Sequence, residues 1–439
     1  MTKLNMTRRV AFFLAFNVLI INTICWLAMK DYNPGLWGIG RAIEIVFTLD
    51  AGSDSWKVQR IALGHLNHSK EPLYSELVIN RGVKFHYPLT TMILYEPVQY
   101  LTAWSAIDPD RLMNAIGWIF TASFIIATAS LFESCLREPH YEPDERHGTK
   151  IRLLMVGIAT LTFFPFIWGF AKGNWQHWIN AAFAAALLAW VAGYKATSGS
   201  LVGFMCLIKP HYAPLLIWAA LRREWRFGGA CLLVGFLGVL ASISIYGFSN
   251  NIDYVNALSF MSERGATYYH NQSINGVLNR LMSLFDPQSF PNYASQNPYP
   301  PYTQLVFWGT FITSALILGA ALVWRSSNSI IDLCIITLSC AIASPIAWTY
   351  QYALLLPIYA VALSKTKDQK FFIWIGISYV LTSNYIVAFN AFAATPLNIV
   401  QSYLLIGALI LLIVLYHLAP GKTLMPFHRT RVSALDTKA

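Results

Sequence analysis

The sequence predicts an all-α protein that crosses a membrane many times, and three observations carry that prediction. Hydrophobic residues make up 56% of the 439-residue chain and charged residues only 12%, about half the charged share of an ordinary soluble domain. Mean hydropathy is +0.48. Apolar windows close to the ~20 residues that cross a bilayer recur from residue 10 to residue 418. Segments of strict alternation are missing, which argues against an outer-membrane barrel.

The first window, 10–29 (VAFFLAFNVLIINTICWLAM), is long for a signal peptide, and no small-residue cleavage site follows it. It reads as an uncleaved helix. Further segments fall roughly at 112–135, 152–171, 175–194, 198–208, 211–221, 228–248, 304–324, 329–348, 351–364, 371–389 and 399–418, about 12 crossings in one unit spanning 1–439. Lys3, Arg8 and Arg9 place the N-terminus inside. Arg222, Arg223, Arg226, Arg325, Lys365, Lys367, Lys370 and the 420–439 tail fall on the same side, provided that 88–105 lies on or dips into the membrane without crossing. The net charge of +10 is therefore assigned to cytoplasmic loops, not to nucleic acid. The six cysteines lie in or beside apolar runs with no metal-type spacing and read as small core residues.

This orientation leaves three polar regions on the outer face: 30–111, the tip near 209–212, and 249–303. The first holds Asp50 and Asp54, four apart and on one face if helical. Asp54 reads either as a general base at the water–lipid boundary or as a solvated acid at a helix N-terminus. Lys209, in Lys209-Pro210-His211-Tyr212, reads as a phosphate contact or as a snorkelling side chain. Arg264, His270, Asn271, Gln272 and Arg280 suit an anionic headgroup, or a hydrated loop touching anionic lipids. Asn271-Gln272-Ser273 also fits a glycosylation sequon. Ser344-Pro345-Ile346-Ala347-Trp348-Thr349-Tyr350-Gln351 marks a helix end at the outer interface, with an aromatic belt as the bland alternative. Gly173-Asn174 is a similar turn. No P-loop, dinucleotide fingerprint, HExxH or CxxC is present.

The order of these pieces resembles a known family. It runs from the first-loop Asp through Gly64, Pro72-Leu73-Tyr74, Phe85-x-Tyr87-Pro88, Gly173-Asn174, Lys209-Pro210 and Arg222-Arg223-x-Trp225. It continues with Asn271-Gln272-Ser273, Arg280 and Ser344-Pro345-Ile346-x-Trp348. It resembles the C-type integral-membrane glycosyltransferases, and more narrowly the actinobacterial polyprenyl-phosphate-mannose-dependent mannosyltransferases that elongate phosphatidylinositol mannosides. The resemblance implies the C-type fold, with juxtamembrane helices in the first outer loop and Asp54 as the catalytic base. Where the family has an acid and a histidine pair after its Trp, this chain has Thr349, Tyr350 and Gln351.

The expected activity is inverting transfer of a hexose, with mannose favoured. The donor is a polyprenyl-phosphate sugar, and the acceptor a lipid-linked or envelope glycan on the outer face of the inner membrane. The expected donor-phosphate residues are Lys209, His211, Arg264, His270 and Arg280. Tyr87, Asn174, Asn271, Gln272, Trp348, Tyr350 and Gln351 are expected along the substrate groove. No cofactor is expected, and Asp50 with Asp54 is the one pair to consider for a divalent metal. Membrane lipids are the other expected partners. A flippase for a lipid-linked glycan, or an inactive subunit of an envelope polysaccharide machine, stand as competing readings.

Overall fold

The structure, a computed structural model, describes residues 3–29, 44, 48, 51–136, 146–285, 299–418 and 421–423. Asp50 and the tail beyond Thr423 lie outside them. The described residues form an all-α membrane protein. Their only strands are Trp324–Ser326 and Gly421–Thr423, paired antiparallel.

Four described helices are long and apolar enough to cross a membrane: Pro109–Leu136, Trp225–Tyr246, Gln304–Val323 and Pro396–Leu418. The segment expected at 152–171 is a bent pair, Thr149–Thr162 and Phe164–Lys172, with 60° between them. Proline explains the break: Pro165 has no N–H to offer the Leu161 carbonyl, and its ring would press on it. Counting this pair, long spans number up to five, against the twelve or so expected segments. The rest are shorter helices such as Lys195–Ile208 and Ser329–Ala343.

Burial separates the helices by role. Every residue from Ile330 to Ala343 in the helix Ser329–Ala343 is buried, as are most of Gln176–Val191. Apolar all round, these two form the centre of the bundle. In Trp225–Tyr246 and Gln304–Val323 only 11% and 17% of the apolar window is buried, so their large side chains face outward, as at a lipid boundary.

The two ends of the bundle differ in chemistry. At the N-terminal end of Ser329–Ala343, Arg222 and Asp332 form a buried ion pair at 2.6 Å. Arg222 also donates to the carbonyls of Leu322 and Trp324, satisfying groups that the end of Gln304–Val323 leaves open. At the other end of Ser329–Ala343, Ser344–Trp348 meets the polar segments. There the helix Thr90–Ala103 spans about 21 Å at 1.5 Å per residue, less than the ~30 Å hydrocarbon core. The helix Phe248–Arg264 lies nearby and is tied to the first polar region. Asp253 accepts the backbone N–H groups of Tyr74 and Ser75 at 2.6 and 2.8 Å, and Asn250 accepts that of Leu73 at 3.1 Å. These bonds are where Pro72-Leu73-Tyr74 spends its orphan donors.

Candidate active site

Asp54 lies in the first turn of the helix Asp54–His68, where the N-terminal end of the helix favours a negative charge. That helix turns Ser55, Trp56, Gln59 and Ala62 inward. Trp56 packs edge-on to Trp175 at 5.0 Å and donates from Nε1 to Asn114 at 2.8 Å. Ser55 Oγ pairs with the Tyr87 hydroxyl at 2.7 Å, and the Gln59 amide donates to Thr91. The turn before Asp54 docks on the turn that ends Phe164–Lys172. Gly52 N–H donates to Ala171 O at 2.8 Å, and Ser55 N–H to Gly173 O at 3.0 Å. The Asn114 amide donates to the carbonyls of Ala51 and Gly52. Asp54 is thereby fixed beside Lys172.

The Asp54 side chain is exposed, but into a cavity within the protein. Among the described residues it makes no hydrogen bond or ion pair. Burial pushes its pKa up; Lys172, Lys84 and Lys209 pull the other way at longer range without cancelling the shift. The arrangement differs from a solvated helix cap: this carboxylate lines a chamber within the protein.

Two cavities meet here. The smaller, about 170 Å³, is lined by Asp54, Lys84, Lys172, Trp168, Tyr268 and His270 among others. The larger, about 510 Å³, is lined by Lys209, His211 and Gln351, and by Tyr254, Val255 and Leu258 of the helix Phe248–Arg264. His86, Tyr87, Trp348 and Tyr350 line both and form a shared aromatic wall. Tyr350 lies beside Tyr87 in this wall, and His86 stacks on Trp348 at 6.4 Å.

Lys209 sits in the turn after Lys195–Ile208. Its ammonium donates to Gln176 Oε1 at 2.9 Å and lies 5.2 Å from the centroid of the Tyr350 ring. Burial pulls its pKa down to about 7, with Asp54 opposing. His211 Nε2 and Gln351 Oε1 are buried without a hydrogen-bond partner in the larger cavity, and His270 Nε2 likewise in the smaller. Unpaired buried polar atoms are costly, and a polar ligand would satisfy them.

The structure thus brings together Asp54, Tyr87, Lys209, His211, His270, Trp348, Tyr350 and Gln351 from the expected set. It uses the others elsewhere. Arg280 donates to the carbonyls of Tyr268 and Asn271 and to Ser402, so its guanidinium braces the loop and lines neither cavity. Arg264 pairs with Glu263 at 3.5 Å and lies over Phe260, also away from both cavities. Asn271 and Gln272 stitch loops together. Asn271 holds the Ala266 carbonyl and the Ala347 N–H, while Gln272 donates to Tyr269 O and Gln401 O. Asn271 is wholly buried, so the sequon offers no accessible amide. Asn174 caps the Gln176 N–H at 2.9 Å, one layer behind the wall. Asp50, expected as the partner of Asp54 in a metal pair, lies outside the described residues.

Sequence reasoning missed Lys84 and Lys172. Both carried a usable signal: Lys172 is a lone cation ending an apolar helix, like Lys209, and Lys84 directly precedes Phe85-x-Tyr87-Pro88.

Residues 85–347 match glycosyltransferase family 87. No curated protein and no solved structure matches the chain.

Proposed function

The chain belongs to glycosyltransferase family 87, and on that premise we propose an inverting transfer of a hexose, mannose favoured, from a polyprenyl-phosphate donor. The acceptor is a lipid-linked or envelope glycan, and the reaction faces the outer side of the cell inner membrane. The observation that carries this reading is the placement of Asp54 at one cavity and Lys209 at the next, with an aromatic wall between them.

Asp54 takes the proton of the acceptor hydroxyl, whose oxygen then bonds to the anomeric carbon. The bond from that carbon to the phosphate oxygen breaks on the opposite face, and its electron pair leaves with the phosphate. Inversion follows from the single displacement. General-base help of this kind contributes about 10²–10⁴-fold. The leaving group departs as an anion and needs no proton, so one carboxylate suffices. Lys209, 5.2 Å from the ring centroid of the shared-wall residue Tyr350, binds the donor phosphate where the two cavities meet, with His211 Nε2 as a donor when it carries the ring proton; Gln351 Oε1, an acceptor, is open to a sugar hydroxyl. The apolar flank of Phe248–Arg264 supports a lipid-bearing ligand there.

The test is transfer in proteoliposomes from a polyprenyl-phosphate mannose to extracted envelope glycolipids, with the anomeric configuration of the product read by NMR. Product of inverted configuration that vanishes with Asp54→Asn supports the proposal. Net movement of a lipid-linked glycan across the bilayer without transfer would favour a flippase instead.

A further inference from the structure

Three lysines and one carboxylate are the charged groups of the two cavities. Lys84 and Lys172 line the smaller with Asp54, and Lys209 lines the larger. The cavity-lining histidines His86, His211 and His270 are held neutral, because burial drops each to about 3. No arginine and no second acid is among the described residues that line either cavity. The lining therefore holds a surplus of positive charge. Among the described residues, neither Lys84 nor Lys172 forms an ion pair. Each is held instead against the face of a cavity tryptophan: Lys172 lies 4.5 Å from the centroid of Trp168 and Lys84 lies 5.8 Å from that of Trp348. The same two lysines, with Lys209, are the cations that act on Asp54.

The transfer proposed above moves charge between two places in this chamber. The donor phosphodiester carries one negative charge. Once the bond to the anomeric carbon breaks, the phosphate keeps the electron pair and becomes a monoester dianion. At the same time the acceptor proton neutralises Asp54. One negative charge has passed from the carboxylate to the phosphate, and the lysines that faced the first are released to face the second. An excess of cations suits the dianion better than the diester, which is the condition for speeding the chemical step.

Resting on that reading of the reaction, we propose that Lys84 and Lys172 are catalytic residues that offset Asp54 in the resting enzyme and take up the leaving phosphate dianion as Asp54 becomes neutral. Lys209 holds the phosphate before and after. Lys84 and Lys172 thereby add selectivity for the product state to the hold that Lys209 supplies throughout.

Binding separates these roles without knowledge of sugar or acceptor. The probes are geranylgeranyl phosphate and its methyl phosphodiester, added to the full-length protein in nanodiscs near neutral pH. There the monoester is largely doubly charged, its second pKa being about 6. The wild type should bind the monoester about tenfold or more tightly than the diester, from charge-assisted hydrogen bonds that only the dianion fully uses. Lys84→Met and Lys172→Met should erase that preference while diester affinity stays within about twofold. Lys84→Arg and Lys172→Arg should restore it. Asp54→Asn, an imitation of the protonated acid, should widen it. Equal loss of both probes in the Met variants, or an unchanged preference, overturns the proposal. Lys209→Met should weaken both probes, the diester included. If neither probe binds the wild type, or Lys209→Met changes nothing, the donor reading itself fails, whatever the other lysines do.

Discussion

Gly52 and Gly173 meet backbone to backbone: a Cβ at Gly173 would lie 1.8 Å from the Gly52 carbonyl oxygen. Gly173 also has φ +66°, a region that side chains disfavour. The contact locks the turn before Asp54 onto the turn that carries Lys172, so base and cation share one backbone joint. Gly173→Ala is expected to push these turns apart. It should cost about 1–3 kcal/mol for the backbone conformation alone, and cut transfer by more than it lowers thermal stability. Gly64→Ala, where nothing lies within 4 Å of the added carbon, should leave transfer unchanged and raise stability slightly, by up to about 1 kcal/mol, because it sits inside the helix Asp54–His68. The comparison is made by melting curves in detergent and by initial rates.

Asp54→Asn should remove about 10²–10⁴-fold of transfer rate while expression and membrane insertion remain normal. Burial raises the pKa of this carboxyl. Only the ionised form can accept a proton, so transfer should fall off on the acid side at a pH above the ordinary carboxylate range. A rate that stays flat down to that range would sink the assignment.

Lys209 governs the alkaline side. An amine lowered to about 7 loses its charge as pH rises through that value, and the free enzyme then loses its hold on the phosphate. The profile of kcat/KM for donor should decline above about 7, because it reports the free enzyme. Bound phosphate favours the charged amine, so the profile of kcat should decline at higher pH. Lys209→Arg should move the kcat/KM decline out of the measurable range, since guanidinium stays charged. Persistence of the decline in that variant would assign it to another group.

Asp253 ties Phe248–Arg264 to the N–H groups of Tyr74 and Ser75. Asp253→Ala leaves those donors without partners, at roughly 1–3 kcal/mol. Hydrogen exchange of residues 73–80 should speed up, while the segment Gln176–Val191 stays protected. Equal protection in mutant and wild type would show that other contacts hold the segment.

Arg222 and Asp332 are each 4% exposed. Arg222→Met leaves a buried carboxylate uncompensated, which costs about 3–5 kcal/mol. Thermal stability should drop by that order, while donor KM in the surviving folded fraction is unchanged because the pair sits at the far end of Ser329–Ala343.

Composition and hydropathy made the helical membrane class legible, since a chain this apolar can satisfy its backbone in few other ways. The break at Phe163 was readable from Pro165 but lost inside a window that scored as one span. Asp54, Lys209 and the Trp348-Thr349-Tyr350 segment were legible because polar groups at helix ends stand out against hydrocarbon. The fates of Arg264 and Arg280 were not. A guanidinium that braces carbonyls and one that binds phosphate have the same local sequence, and only tertiary closure tells which acceptors come near. Lys84 and Lys172 became visible as a pair only once the turn at Gly173 had been folded onto Gly52.

The shared wall of His86, Tyr87, Trp348 and Tyr350 ties the two chambers to one another. Its residues come from two stretches more than 250 positions apart, and each presents atoms to both sides. Reshaping the wall for a bulkier donor sugar therefore also reshapes the seat of the acceptor. Donor and acceptor preference in this architecture must drift together, and neither can be transplanted by exchanging one loop.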